Sequence, residues 1–285
     1  MVDSIASFGG LARRLREQGA GPAPIVLVYV PTPTTLALLD ALNPALVVYD
    51  CASNFADHPD APPDFAAVEA RLLARADLVV TDSPYLFELQ RRRHPRVARI
   101  HQGMDASFLE AKPPSGAFRS FCYYGTWGTA LDAALVGAVA DAGFAVTLSG
   151  FVKGPPPALP ASVRRLPAIP REDLLKRLED FDAFLLPYRL TPFHKGVIPA
   201  KVYEILAMGR PALATPLPSM EEFKDHFHIG NTPEEWVAFA RSLARTETPE
   251  RAEARRALAR SHTYAAEFGR LTEAMRSAWD ARRRP

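Results

Sequence analysis

Short uninterrupted apolar runs, separated by longer mixed stretches, set the rhythm of the chain. They fall at 24–30 (PIVLVYV), 45–50 (ALVVYD), 77–82 (DLVVTD), 96–100 (RVARI), 121–125 (FCYYG), 144–150 (FAVTLSG), 181–188 (FDAFLLPY) and 211–215 (PALAT). A strand with one wet face alternates apolar and polar residues. Runs without alternation are strands covered on both faces, the mark of a parallel sheet between helical layers. Helical spacing and composition predict helices over 65–75, 84–93, 131–142, 171–179 and 200–208, several opened by Asp, Ser or Pro. The fold class is α/β, doubly wound.

Residues 101–120 (HQGMDASFLEAKPPSGAFRS) break this rhythm with Gly, Pro and no periodicity, and read as the joint between two domains. The expected organisation is a first domain at 1–104, a linker at 105–118, a second domain at 119–262 and a closing helix at 263–285. That helix carries an apolar stripe of Tyr264, Phe268, Leu271, Met275 and Trp279, which covers either its own domain or the first one. The proline-rich GPPPALP at 154–160 reads as a surface loop.

Composition narrows the function classes. The 285 residues are 48% hydrophobic, enough for real cores, and the formal net charge of +2 gives no signature of a nucleic-acid partner. Local basic runs, RRRH at 91–94 and ARRRP at 281–285, are either solvated faces or contacts for an acidic membrane surface. Cys51 and Cys122 are the two cysteines, far apart and without zinc-type spacing, so no metal is expected. With no signal peptide and no run of eighteen apolar residues, the expected location is the cytoplasm, including a peripheral station at the inner face of the membrane.

In an open α/β sheet, ligands bind where strand carboxyl ends lead into helices. In the second domain those loops are 125–129 (GTWGT), 149–154 (SGFVKG), 187–199 (PYRLTPFHKGVIP) and 215–219 (TPLPS). Gly125 and Gly128 serve either as ordinary turn residues or to admit a ligand close to the backbone. Pro199 and Ala200 look like a helix start, which places Lys201 in the first turn, where the helix dipole disfavours a cation. The N–H groups of Gly196, Val197 and Ile198 would enter the same helix N-terminus, so a diphosphate would account for Lys201. Glu204, three residues on, faces the same way and could accept two ribose hydroxyls. The plainer alternative is a surface ion pair between Lys201 and Glu204.

The segment FDAFLLPYRLTPFHKGVIPAKVYEILAMGRPALATPLPS resembles the nucleotide-sugar-binding segment of GT-B glycosyltransferases (family 1/4-like), with its strand ending in Pro-Tyr, its Lys-x-x-Glu helix start and its Ala-x-Gly-x-Pro. QGMD at 102–105, YYGTW at 123–127, VVYDCASNF and ADLVVTDSPYL resemble further segments of that family, in order, from about residue 24 to 280. The resemblance implies two Rossmann-like domains. It also implies that Lys201 contacts the donor diphosphate, Glu204 the ribose, and that Gly125, Thr126, Trp127, Gly150 and Tyr188 line the donor pocket. Three departures stand out. YYGTWGTALD lacks the Arg and Lys pair of many retaining members, Tyr49–Asn54 lacks the acidic pair of close relatives, and about 100 residues precede the linker, so the first domain is shortened.

Direct displacement at a sugar carbon needs a base near the acceptor hydroxyl. Asp50, Asp57, His58 and Asp82 are the candidates in the first domain, and each has an alternative as a cap, turn or solvated residue; His101 and His194 are in the same position. The expected function is transfer of a hexosyl group from a nucleoside-diphosphate sugar to a glycan or lipid-linked acceptor in cell-surface polysaccharide synthesis, without metal or separate cofactor. A noncatalytic sugar-nucleotide-binding or partner subunit and a nucleotide-sugar epimerase are the rivals. The shortened first domain predicts an exposed sheet edge and association with a second copy or a partner chain.

Overall fold

A computed structural model describes residues 5–114 and 116–283. The last two residues of the basic run at 281–285, Ser115 of the expected linker and the first four residues of the first domain lie outside the described residues. The chain divides into two compact units, one formed by residues 1–101 with 268–285, the other by 102–267.

The first unit runs α1 (Ile5–Leu15), β1 (Ile25–Val28), α2 (Pro33–Leu42), β2 (Leu46–Asp50), α3 (Phe65–Leu73), β3 (Leu78–Thr81), α4 (Pro84–Arg91) and β4 (Val97–Arg99). Its strands form a four-stranded parallel sheet in the order β1-β2-β3-β4. Successive strand residues point to opposite faces. Val47, Tyr49 and Val79 therefore meet Leu36, Leu39, Val68 and Leu72 on one face, while Leu46, Val48, Leu78 and Val80 turn to the other. The starts of α2 and α4 share one device: the hydroxyls of Thr32 and Ser83 accept from the N–H groups of Thr35 and Leu86 at 3.0 and 3.3 Å, with proline next in the chain. Strand β1 is an edge, and Ile25, Leu27 and Tyr29 are each about half exposed.

The second unit runs β5 (Ser120–Tyr124), β6 (Trp127–Gly128), α5 (Ala133–Asp141), β7 (Ala145–Ser149), β8 (Val152–Lys153), β9 (Arg164–Leu166), α6 (Leu174–Leu178), β10 (Ala183–Leu186), α7 (Val202–Ala207), β11 (Ala212–Ala214), β12 (His228–Ile229), α8 (Pro233–Thr246) and α9 (Pro249–Arg260). Its six-stranded parallel sheet has the order β12-β11-β10-β5-β7-β9, with β6 and β8 pairing apart from it. The chain moves outward from β5 to β7 and β9, then returns to place β10 on the other side of β5. The strand order thus reverses between β5 and β10, the position where an open α/β sheet leaves a crevice at its carboxyl edge.

The crossover from β7 to β9 contains no helix. Residues 150–163 include Pro155, Pro156, Pro157 and Pro160, which cannot sustain one, as the loop expectation for 154–160 requires. The sheet face beneath is open as a groove of about 690 Å³ lined by Thr147, Ser149, Arg164, Leu166, Pro167 and Phe181.

The chain closes with α10 (Tyr264–Arg283). Leu271, Ala274, Met275, Ala278 and Trp279 cover Leu46, Val48, Leu78 and Val80 of the first unit's sheet, and Arg282 donates to Asp77 at 2.7 Å. The buried stripe is shorter than its periodicity suggests. Tyr264 and Phe268 are 54% and 69% exposed, and the covered face of the helix begins at Leu271.

A buried ionic cluster holds the end of the second unit. Arg255, fully buried, donates to both carboxylate oxygens of Glu247 at 2.6 and 2.7 Å and to the His226 carbonyl at 2.8 Å. Burial alone would raise the Glu247 carboxyl; His228 and Arg255 outweigh that and bring it down to about 2.

Candidate functional site

Lys201 lies where the strand order of the second unit reverses. Its residue is only 9% exposed. Nζ donates to the Tyr188 hydroxyl at 2.9 Å and sits 4.6, 5.8 and 5.5 Å from the ring centres of Tyr123, Tyr124 and Tyr188. Tyr123 and Tyr124 end β5 and point to opposite faces of the sheet, so the ammonium straddles the end of that strand. An ammonium has three donors, and ring faces attract it without neutralising it. Burial pushes the Tyr188 phenol up to about 12, so it faces Lys201 as a neutral hydroxyl.

The local backbone differs from the sequence reading. Helix α7 begins at Val202; Lys201 is the residue before it, and Pro199–Lys201 form a turn closed by Val202 N–H to the Pro199 carbonyl at 3.0 Å. Gly196, Val197 and Ile198 lie before that turn rather than in the helix start. Residues Phe193–Gly196 close as a tight 3-10 turn, and the Val197 N–H is taken by the His194 carbonyl at 3.1 Å. With six residues in α7, the cation itself and not a helix dipole dominates the electrostatics here.

Glu204 does not pair with Lys201. Its carboxylate, 7% exposed as a residue, accepts from the Tyr124 hydroxyl at 2.9 Å on Oε2 and from Arg171 Nη1 at 2.8 Å on Oε1. The surface ion-pair alternative is thereby excluded, because Tyr124 stands between the two groups. Arg171 opens the segment that leads into α6, and nothing in its local sequence marks it. Tyr123 and Tyr124 are legible as strand residues but not as the walls of a cation site.

The glycine loops are shaped by the protein's own backbone. Gly125 has φ 111°, and a Cβ there would lie 3.5 Å from Lys201 Cε and Nζ; a Cβ on Gly150, at φ 149°, would lie 1.8 Å from the Gly125 carbonyl oxygen. The N–H groups of Gly125, Trp127 and Gly150 are taken by the carbonyls of Ser149, Phe151 and Leu166. Thr126 is exposed beside them. Trp127 departs from its expected place in a pocket wall: its side chain is buried in the core with Leu131, Leu135 and Leu148, because β6 turns it inward. His194 is also buried, its Nδ1 2.8 Å from the Thr191 hydroxyl, and burial lowers its basicity.

The acid–base candidates of the first unit gather at the carboxyl edge of its own sheet. Asp50 ends β2, and burial raises its carboxyl above the ordinary range. Asp82 follows β3 and is buried. Asp57 accepts from Asn54 Nδ2 at 2.7 Å, and His58 Nδ1 accepts the Asp60 N–H at 3.1 Å, so both are held within their loop. His101 Nε2 lies 3.2 Å from Arg99 Nη2. Among the described residues, no group of three or more His, Cys, Asp or Glu side chains is gathered to hold a metal ion, and no helix is long and apolar enough to cross a membrane.

No family model matches the chain. It is similar to the sucrose-phosphate synthase of Thermosynechococcus elongatus, with a TM-score of 0.66 at 13% identity over 97% of this chain and 79% of that one. It is likewise similar to Anabaena HepE, whose structure was solved in complex with UDP-glucose, with a TM-score of 0.65 at 16% identity over 95% of this chain and 82% of that one. At these identities the likeness establishes a fold, the two-unit α/β architecture of GT-B glycosyltransferases. In sequence, 66 residues are 35% identical to a Bacillus subtilis protein named as the teichuronic acid biosynthesis glycosyltransferase TuaH; the match spans 23% of this chain and 16% of that protein's length.

Proposed function

We propose that the chain is a glycosyltransferase that takes a hexosyl group from a nucleoside-diphosphate sugar and passes it to a glycan or lipid-linked acceptor in cell-surface polysaccharide synthesis. The observation that carries this is Lys201: a cation withdrawn from water, facing a neutral phenol and three aromatic rings, at the strand-order reversal of a parallel sheet. Such a charge is stabilised when an anion arrives. A donor diphosphate meets that need, and Glu204 beyond Tyr124 then faces the ribose. HepE, of the same fold, was crystallised with UDP-glucose, and TuaH is named as a glycosyltransferase of teichuronic acid biosynthesis, which supports this choice of substrate.

In transfer, the bond between the sugar carbon and the diphosphate oxygen breaks as the acceptor oxygen bonds to that carbon. Lys201 stabilises the negative charge gathering on the leaving diphosphate. The acceptor's proton goes to a general base; of the candidates Asp50, Asp57, His58 and Asp82, Asp50 suits that chemistry, because burial raises its affinity for a proton while Asp57 and His58 are engaged in their loop. Work at the inner face of the membrane and association of two copies along β1 belong to the same proposal.

The test is calorimetric titration with UDP, GDP and ADP and their hexose conjugates, followed by donor turnover with and without acceptor lipid. Micromolar binding of one nucleoside diphosphate, with turnover that depends on acceptor, is expected. Binding without turnover would point to a noncatalytic sugar-nucleotide-binding subunit; absence of binding would remove the donor site altogether.

A further inference from the structure

Arg171 and Glu204 form an unequal pair. The carboxylate side chain is 10% exposed and the guanidinium side chain 50%, so the carboxylate is anchored inside while the cation's outer edge reaches solvent. Arg171 is held by more than charge: its Nη2 lies 3.3 Å from the Tyr264 hydroxyl, and its guanidinium lies 5.6 Å over the Phe108 ring. A carboxylate has about four acceptor positions and a guanidinium five donors. Tyr124 and Arg171 occupy two of the former, which leaves acceptor capacity on Glu204 beside donor capacity on Arg171.

That juxtaposition suits one kind of group. A hydroxyl is donor and acceptor at once: its proton goes to a carboxylate oxygen and its lone pair takes an N–H from the guanidinium. A carboxylate alone satisfies half of it. We infer that Arg171 is a specificity-determining residue that, with Glu204, selects a ribose over a deoxyribose in the bound nucleotide, by donating to the hydroxyl that Glu204 accepts from. This rests on the reading of Glu204 as the ribose contact.

The selection has a physical basis in what the deoxy nucleotide leaves behind. Without the hydroxyl, the bound nucleotide takes water from the remaining acceptor positions of Glu204 and donor positions of Arg171 and returns neither hydrogen bond, and covering such positions without replacement is costly. Arg171 keeps part of its hydration because it lies at the rim, so discrimination is on the order of ten- to a hundredfold, the range of one charge-assisted hydrogen bond.

The test is isothermal titration of UDP, GDP and ADP and their 2′-deoxy counterparts into the intact chain and into Arg171→Ala and Arg171→Lys, with melting temperatures to verify folding. The expected result is a preference of the unsubstituted chain for the ribonucleotide by at least about tenfold, reduced severalfold in Arg171→Ala, where Glu204 still accepts the hydroxyl proton, and less reduced in Arg171→Lys. Binding of the deoxy nucleotide should change little among the three. An equal ribose preference in the unsubstituted chain and in Arg171→Ala would overturn the inference while leaving the donor site standing. Failure of the unsubstituted chain to bind any of the nucleotides would overturn both.

Discussion

Tyr124 keeps Lys201 and Glu204 apart: its hydroxyl donates to Glu204 Oε2 at 2.9 Å while its ring lies 5.8 Å from Lys201 Nζ. The residues are three apart at the start of one helix and would otherwise be free to neutralise each other. Because the tyrosine contacts both, the cation and the carboxylate keep separate partners, Tyr188 for Lys201 and Arg171 for Glu204.

Tyr124→Phe keeps the ring and removes the hydroxyl. The buried carboxylate then loses one of its two protein donors, and stability should fall by about 1–3 kcal/mol, with a weaker ribose contact in parallel. Urea denaturation and nucleotide titration of the same variant measure both. Unchanged values would mean that water replaces the phenol without cost.

Lys201→Met keeps the length of the side chain and removes its charge. Affinity for a nucleoside diphosphate should drop by about 1.5–3 kcal/mol, while the melting temperature holds or rises, since a buried ammonium no longer has to be accommodated. If binding survives intact, the diphosphate lies elsewhere.

Gly150→Ala tests the loop backbone on which Lys201 rests. The new methyl would lie 1.8 Å from the Gly125 carbonyl oxygen at a φ of 149°, and a loss of at least about 3 kcal/mol is expected. Thermal unfolding reads it directly, and a variant as stable as the unsubstituted chain would show that the two loops can separate.

Glu247 sets a stability limit in acid. Its carboxyl titrates at about 2 in the folded chain against an ordinary value of 4.5. The unfolded chain therefore binds the proton first, and the stabilisation that is complete above 4.5 is lost as the pH falls toward 2. Glu247→Gln should flatten the melting temperature across that window and lower it above; an unchanged acid profile would assign the loss to other groups.

The edge strand β1 supplies a prediction about association. Residues 24–30 carry no charge, and Ile25, Leu27 and Tyr29 are each about half exposed, so the strand itself lacks the charged residues that deter edge pairing. Sedimentation should show concentration-dependent dimers that Leu27→Lys abolishes at little cost in melting temperature. Monomers at all concentrations would leave the edge unpaired.

Strands β2, β3, β5, β7, β10 and β11 are legible because burial on both faces writes itself into nearly every residue, whereas β1 and β4, neither of them buried throughout, are legible from their apolar content alone. Strands β9 and β12 are not: Arg164 and Arg165 belong to an edge strand, and β12 has two residues. The starts of α2, α8 and α9 carry a readable signal, Thr-Pro at 32–33, 232–233 and 248–249, each with the threonine hydroxyl capping the first turn. Lys201 and Glu204 can be singled out from spacing, but their partners cannot. Glu204 meets Arg171 across 33 residues and Tyr124 across 80, distances over which chain periodicity holds no information. Trp127 shows the reverse case, a loop residue whose sequence context says nothing of its inward turn.

The first unit is assembled from both ends of the chain, and this imposes an order on its synthesis. As the ribosome delivers the protein, β1 to β4 emerge first, yet Leu46, Val48, Leu78 and Val80 have no cover until α10 arrives after the whole of the second unit. The second unit, continuous from 102 to 267, can complete its fold while the earlier sheet still waits with one greasy face bare. A nascent chain stalled before residue 268 therefore leaves this apolar sheet face without its helix, the kind of surface that promotes aggregation.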